Sequence, residues 1–160
     1  MTGLDPLDIP LKADPGKPPL LAEGWGHISI SHCYDALLIG WSSKKIGVDI
    51  ERKDRQFQAQ KLSKRFFTQY ENCEIEHLNP FQAREIVLKR WVVKEAAIKW
   101  QSGKIATNLN QWIWKNKSQF AYNKKFGYKV KVYGQSHDQW TFAIALDGDL
   151  ITNKPILCLN

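Results

Sequence analysis

Residues 81–101 (FQAREIVLKRWVVKEAAIKWQ) contain neither Pro nor Gly, and they lie between Asn79-Pro80 and Ser102-Gly103. Those flanks are helix start and stop signals, and nothing within the stretch breaks a helix. A helix this long must be matched by what surrounds it, and both neighbouring regions carry the two-residue period of strands. His27–Cys33 sets Ile28 and Ile30 against Ser29 and Ser31. Ala36–Ser42 is a more continuously apolar strand, reached through a short Tyr34-Asp35 turn, and residues 45–51 alternate again. After the helix, residues 128–133 alternate, and Trp140, Phe142, Ile144 and Leu146 alternate with Thr141, Ala143 and Ala145. The turn joining these last two strands is expected over residues 134–139.

Between the first strands and the long helix, Arg52–Asp54 breaks the pattern and residues 56–67 read as a helix. Thr68 with Glu71 three residues on has the form of a capping box, which starts a second short helix. Three strands, then helices, then strands make an α+β domain. Residues 1–24 hold five of the seven Pro and read as an extended arm, leaving 25–160 as the folded domain.

Composition narrows the function. With 160 residues, 43% of them hydrophobic, the chain can bury a real core. No apolar run approaches the roughly 20 residues that span a bilayer. The N-terminus has no apolar core of a signal peptide. Cys33, Cys73 and Cys158 are odd in number and far apart, and His27, His32, His77 and His137 lack metal-ligand spacing. A disulfide framework and a zinc site are therefore not expected, and a reducing cytoplasm is. The net charge of +7 attracts anions of some kind, from nucleic acid to an acidic protein.

Three segments carry chemistry. In Ile46-Gly47-Val48-Asp49-Ile50-Glu51 a strand sends Val48 and Ile50 to one side and Asp49 and Glu51 to the other. Two carboxylates about 7 Å apart at their Cα atoms repel unless a cation or water separates them; the same pattern also suits a strand with one wet face. In the long helix, Trp91, Glu95 and Lys99 fall along one side, where Glu95 and Lys99 also form an ordinary helix pair. Residues 115–131 interleave Lys115, Lys117, Lys124, Lys125, Lys129 and Lys131 with Trp114, Phe120, Tyr122 and Tyr128. This is a solvated strand face or, as a rival, a nucleic-acid surface.

Taken in order, five blocks resemble the signature of the 4′-phosphopantetheinyl transferases. They are Gly16-Lys17-Pro18, Ile30-Ser31-His32, the Gly47-Val48-Asp49-Ile50-Glu51 strand, Arg65-Phe66-Phe67-Thr68 with Glu71, and Trp91 with Lys94-Glu95-Ala96 and Lys99. The likeness runs from about 16 to 147, leaves 148–160 unplaced, and is closer to the family's larger, pseudo-dimeric class. It implies two similar α/β halves with antiparallel sheets, the first truncated, since Gly16 stands near the start and Lys12 is the only base before it. Val92 replaces a small polar residue, and Gln101-Ser102-Gly103 follows the family's turn only loosely.

The resemblance further implies transfer of phosphopantetheine from coenzyme A to a serine of an acidic apo carrier protein. Asp49, Glu51 and Glu95 match the carboxylates that bind Mg²⁺, an ion that takes hard oxygens and shares its shell with phosphates. Lys94 and Lys99 match lysines on the pyrophosphate, so both count as cofactor-binding and catalytic. Ser31 and His32 match the nucleotide end of coenzyme A, and Lys17 and Pro18 the loop against the adenine. Glu71 matches a candidate base for the carrier serine, beside its capping-box role. A homodimer would be one way to make up the short first half. The rival readings are a relative that binds carrier or coenzyme A without turnover, and a basic nucleic-acid module.

Overall fold

The computed structural model describes residue 5 and residues 8–148; Cys158 and the rest of 149–160 lie outside it. Two short strands, β1 (Leu11–Lys12) and β2 (Leu20–Leu21), pair as a ribbon. A hairpin follows, β3 (His27–Cys33) with β4 (Ala36–Ser42), and then β5 (Ile46–Arg52). Helices α1 (Ala59–Phe66), α2 (Gln69–Glu76), α3 (Pro80–Trp100) and α4 (Ile105–Asn108) come next. β6 (Trp112–Trp114), β7 (Phe120–Asn123), β8 (Lys129–His137) and β9 (Trp140–Leu146) complete the described residues. One antiparallel sheet runs β5-β9-β8-β7-β6. The α+β class with antiparallel sheets is therefore as expected.

Alternation along these strands divides the interior in two. On one face, Val130, Val132, Ala121, Trp112 and Trp114 meet the buried side of α3. On the other, Ile46, Val48, Ile50, Phe142, Ile144 and Leu146 pack beneath Leu38 of the hairpin. Small residues on the helix side let α3 lie close: Gly47 pairs with Ala145, and Asp49 with Ala143. A Cβ at Gly47 would overlap the backbone of Ala96 and Trp100, so glycine here sets how near the last turns of α3 come to β5.

Both ends of α3 are closed. Asn79 and Gln82 form a reciprocal capping box, and Pro80 stands at the first helical position. At the far end Ser102 takes a left-handed φ of 58°, with Ser102 N–H donating to Lys99 and Gly103 N–H to Ile98, a Schellman closure. Thr68 and Glu71 form the capping box of α2.

The structure departs from the sequence reading at two boundaries and in the short elements. β8 continues to His137, and the turn is only Asp138-Gln139, because Asp138 adopts a φ of 44° and His137 pairs directly with Trp140. α1 begins at Ala59 rather than residue 56; Arg84 engages the carbonyls of Lys53 and Arg55 and holds that backbone extended. Strands β6 and β7 went unread, being three and four residues long with no clean alternation signal.

Candidate active site

The close approach that Gly47 permits brings the end of α3 over the polar side of β5. Asp49 is buried there, at 3% exposure. Its Oδ1 accepts from Lys99 Nζ at 2.8 Å and from Ser31 Oγ at 2.7 Å. Lys99 Nζ also donates to Ser31 Oγ at 2.8 Å, closing a triangle from three separate elements. The helix pairing expected between Glu95 and Lys99 gives way to this: Lys99 reaches across to the strand. Ser29, on the same side of β3, accepts from Val48 N–H and ties the hairpin to the free edge of β5.

Asp49 Oδ2 is buried and has no donor. The carboxyl of Glu95 can serve, provided it carries a proton. Burial first, then the Asp49 charge, pushes Glu95 up to about 8. Burial also raises Asp49, against the pull of Lys99. Glu51, half-buried and paired with Arg55, is raised by burial, with Asp49 adding to the effect. The three carboxylates therefore press on one another, and Lys99 and Arg55 together do not match their charge. Among the described residues no three His, Cys, Asp or Glu side chains close into a ready-made metal cage. Mg²⁺ does not require one, since it keeps waters and takes phosphate oxygens beside one or two carboxylates. The buried Oδ2, which either a proton on Glu95 or a cation must satisfy, is thus the observation that fits a cation to this place.

Lys99 also faces outward, onto a cavity of about 1040 Å³ between the 16–24 loop, β3 and the end of α3. Lys17 and Pro18 line it. So do Lys45, Lys104, His27 and Trp100, which the sequence reading passed over. Lys45 Nζ lies 5.8 Å from the centre of the Trp100 ring. Four lysines around one cleft make a site for a polyanion, and an indole wall suits a flat ring. Only their positions just outside regular elements could have hinted at Lys45 and Lys104.

The remaining expected residues are placed elsewhere. Ser31 points inward to Asp49, whereas His32, its neighbour on the strand, is exposed opposite Leu37 and does not line the cavity. Glu71 and Lys94 are both wholly buried and bonded to each other at 2.6 Å. Lys94 Nζ further donates to Leu109 O and sits 4.2 Å from the Phe67 ring centre, and burial pushes its pKa down to about 8. Glu71 accepts from Thr68 N–H and Thr68 Oγ at 3.0 Å each. Neither lines the cavity, so in this structure neither contacts what the cavity would hold.

Residues 45–146 match the model of the 4′-phosphopantetheinyl transferase superfamily. A 4′-phosphopantetheinyl transferase of Bacillus subtilis is 35% identical over 104 residues, which cover 64% of this chain and 45% of that protein. The matched part is thus under half the length of the relative.

Proposed function

This chain belongs to the 4′-phosphopantetheinyl transferase superfamily, and from that premise we propose that it moves 4′-phosphopantetheine from coenzyme A to a serine of an apo carrier protein. The carrying observation is Lys99, which lines the basic cavity and at the same time bonds Asp49, whose other oxygen lacks a donor. Coenzyme A lies in that cavity, its phosphates near Lys17, Lys45, Lys99 and Lys104 and its adenine between the Pro18 loop and Trp100. Ser31 takes part indirectly by orienting Asp49 and Lys99, while His32 would meet the nucleotide only at its outer edge.

Asp49, Glu51 and Glu95 would hold Mg²⁺ at the pyrophosphate, and a bound ion would supply charge neutralisation there. The chain's own part is electrostatic. Lys99 is aimed at the pyrophosphate and is fixed by two hydrogen bonds, so it need not reorganise as negative charge builds on the departing group. The carrier serine oxygen bonds to the β-phosphorus in line, the bond to the α-phosphate's bridging oxygen breaks, and adenosine 3′,5′-bisphosphate leaves. The serine proton passes to water at the cavity mouth, because Glu71 is walled in by Thr68 and Lys94. Glu71 and Lys94 act as a positioning pair beneath the Lys94-Glu95 step of α3.

The test is to incubate the protein with an apo acyl carrier, coenzyme A and Mg²⁺ and to weigh the carrier. One added phosphopantetheine, lost in Glu95→Ala, is the expected result. No gain on several apo carriers, with coenzyme A still raising the melting temperature, leaves a coenzyme A-binding relative without turnover.

A further inference from the structure

Helix α3 and strand β5 run in opposite directions where the carboxylates gather. Gly47 lies against Ala96 and Trp100, and Asp49 against Lys99 and Glu95. One turn before Glu95 on the helix stands Trp91, at the level of Glu51. The row of Asp49, Glu51 and Glu95 therefore has a cation at each end. Lys99 closes one end, on the cavity side. Arg55 closes the other: its Nη1 donates to Glu51 Oε1, and its guanidinium carbon lies 5.8 Å from the centre of the Trp91 ring.

The two cations are held differently. Lys99 is fixed by hydrogen bonds to Asp49 and Ser31, on two strands. Arg55 lies in the stretch between β5 and α1, with 38% of its side chain exposed. Arg84 engages the Arg55 carbonyl, so the backbone is anchored while the side chain reaches Glu51 and Trp91. Trp91 is a firm platform for it, being buried and packed edge-on by Phe66 with ring centres 5.6 Å apart. Such a ring carries a guanidinium whether or not a carboxylate is also in reach.

We propose that Arg55 is a tethered stand-in for the metal at Glu51: it neutralises this carboxylate when no ion is bound, and a divalent cation must take Glu51 from it. The inference rests on the reading that Asp49, Glu51 and Glu95 receive the ion, and it adds what the ion competes with. Of the two cations acting on Glu51, Arg55 acts more strongly than Lys99. A partly exposed ion pair costs little to break, whereas a divalent ion carries twice the charge and bonds carboxylate oxygens directly. Exchange therefore follows, with the guanidinium left over the Trp91 ring. Were Arg55 only a partner that orients Glu51 for the ion, its removal would weaken metal binding instead. The sign of one measurement separates the two roles.

Mn²⁺ is titrated calorimetrically into the protein without coenzyme A, for the parent, Arg55→Gln, Arg55→Lys and Lys124→Gln, the last an exposed lysine outside the site. Arg55→Gln should bind the ion roughly fivefold tighter or more, because a competing charge is gone. Arg55→Lys keeps a cation there and stays within about twofold of the parent, as does Lys124→Gln. Should Arg55→Gln melt early, NMR follows the Arg55 side-chain N–H signal of the parent, identified by its loss in Arg55→Lys. That signal moves when Mg²⁺ is added if the ion displaces the guanidinium, and a signal that stays in place overturns the proposal. Unchanged or weaker binding in Arg55→Gln overturns it while leaving the metal reading intact, and so does an equal gain in Lys124→Gln, where only net charge acts. No uptake of Mn²⁺ by parent or variants, with or without coenzyme A, overturns it and sinks the metal reading as well.

Discussion

Two acid–base groups lie a few residues apart on α3, and they are finished to different degrees. Lys94 with Glu71 is closed: each is at 0% exposure, and Glu71 takes donors from Thr68 and Lys94. Lys99 with Asp49 is open, since Lys99 keeps a quarter of its side chain exposed in a cavity wall while Asp49 Oδ2 has no donor unless Glu95 carries a proton. A group whose hydrogen bonds are met inside the protein serves the fold first. One left short of positive charge at the edge of a cavity is poised for a ligand. By sequence the two lysines look equivalent; by satisfaction they do not.

The largest way to break this contrast is to cut the closed pair. Lys94→Met leaves the Glu71 carboxylate buried without its cation, and denaturant unfolding should show a loss of about 3–5 kcal/mol. Should Lys94→Met be as stable as the parent, the pair is no framework, and Lys94 regains its place as a candidate pyrophosphate ligand.

A smaller effect separates the two groups by pH. The folded chain keeps the Glu95 proton up to about pH 8, whereas an ordinary glutamate releases it near 4.5. The folded state therefore holds more protons across that window, and stability without metal falls as pH rises through it, by up to about 1.4 kcal/mol per pH unit. Lys94 works in the opposite sense and in a different window. Its folded pKa of about 8 lies below the usual 10.5, so the unfolded chain holds more protons between them and stability rises. A melting profile from pH 5 to 10 should thus dip near pH 8, with the acid-side slope removed by Glu95→Gln and flattened by Mg²⁺. A profile that climbs steadily from pH 5 to 8 contradicts the raised Glu95.

Much of this was legible in the sequence because it is local. Strands β3, β5 and β9 and both opposing faces of the Asp49 strand follow from period, β4 from a continuous apolar run, the long helix from its unbroken stretch between start and stop signals, and Thr68 with Glu71 announces the cap of α2. What stayed hidden depends on distance along the chain. Ser31 to Lys99 spans 68 residues, and Glu71 to Lys94 spans 23, so no window shows that one lysine ends at a cavity and the other in the core. Ser31 and His32 part for a simpler reason: a strand sends adjacent residues to opposite sides, so Ser31 turns inward to Asp49 and His32 outward. Lys45 and Lys104 became site residues only through the cavity they line.

Lys99 carries the central claim, since it is the side chain common to the basic cavity and the carboxylates. Lys99→Met keeps the aliphatic length and removes the charge. Titrating coenzyme A in Mg²⁺ buffer into parent and variant, with melting temperature as the control, should show affinity falling tenfold or more while the melt shifts by no more than a few degrees. Full affinity in a folded Lys99→Met protein would contradict the account, because the cavity and the Asp49 site would then be unconnected.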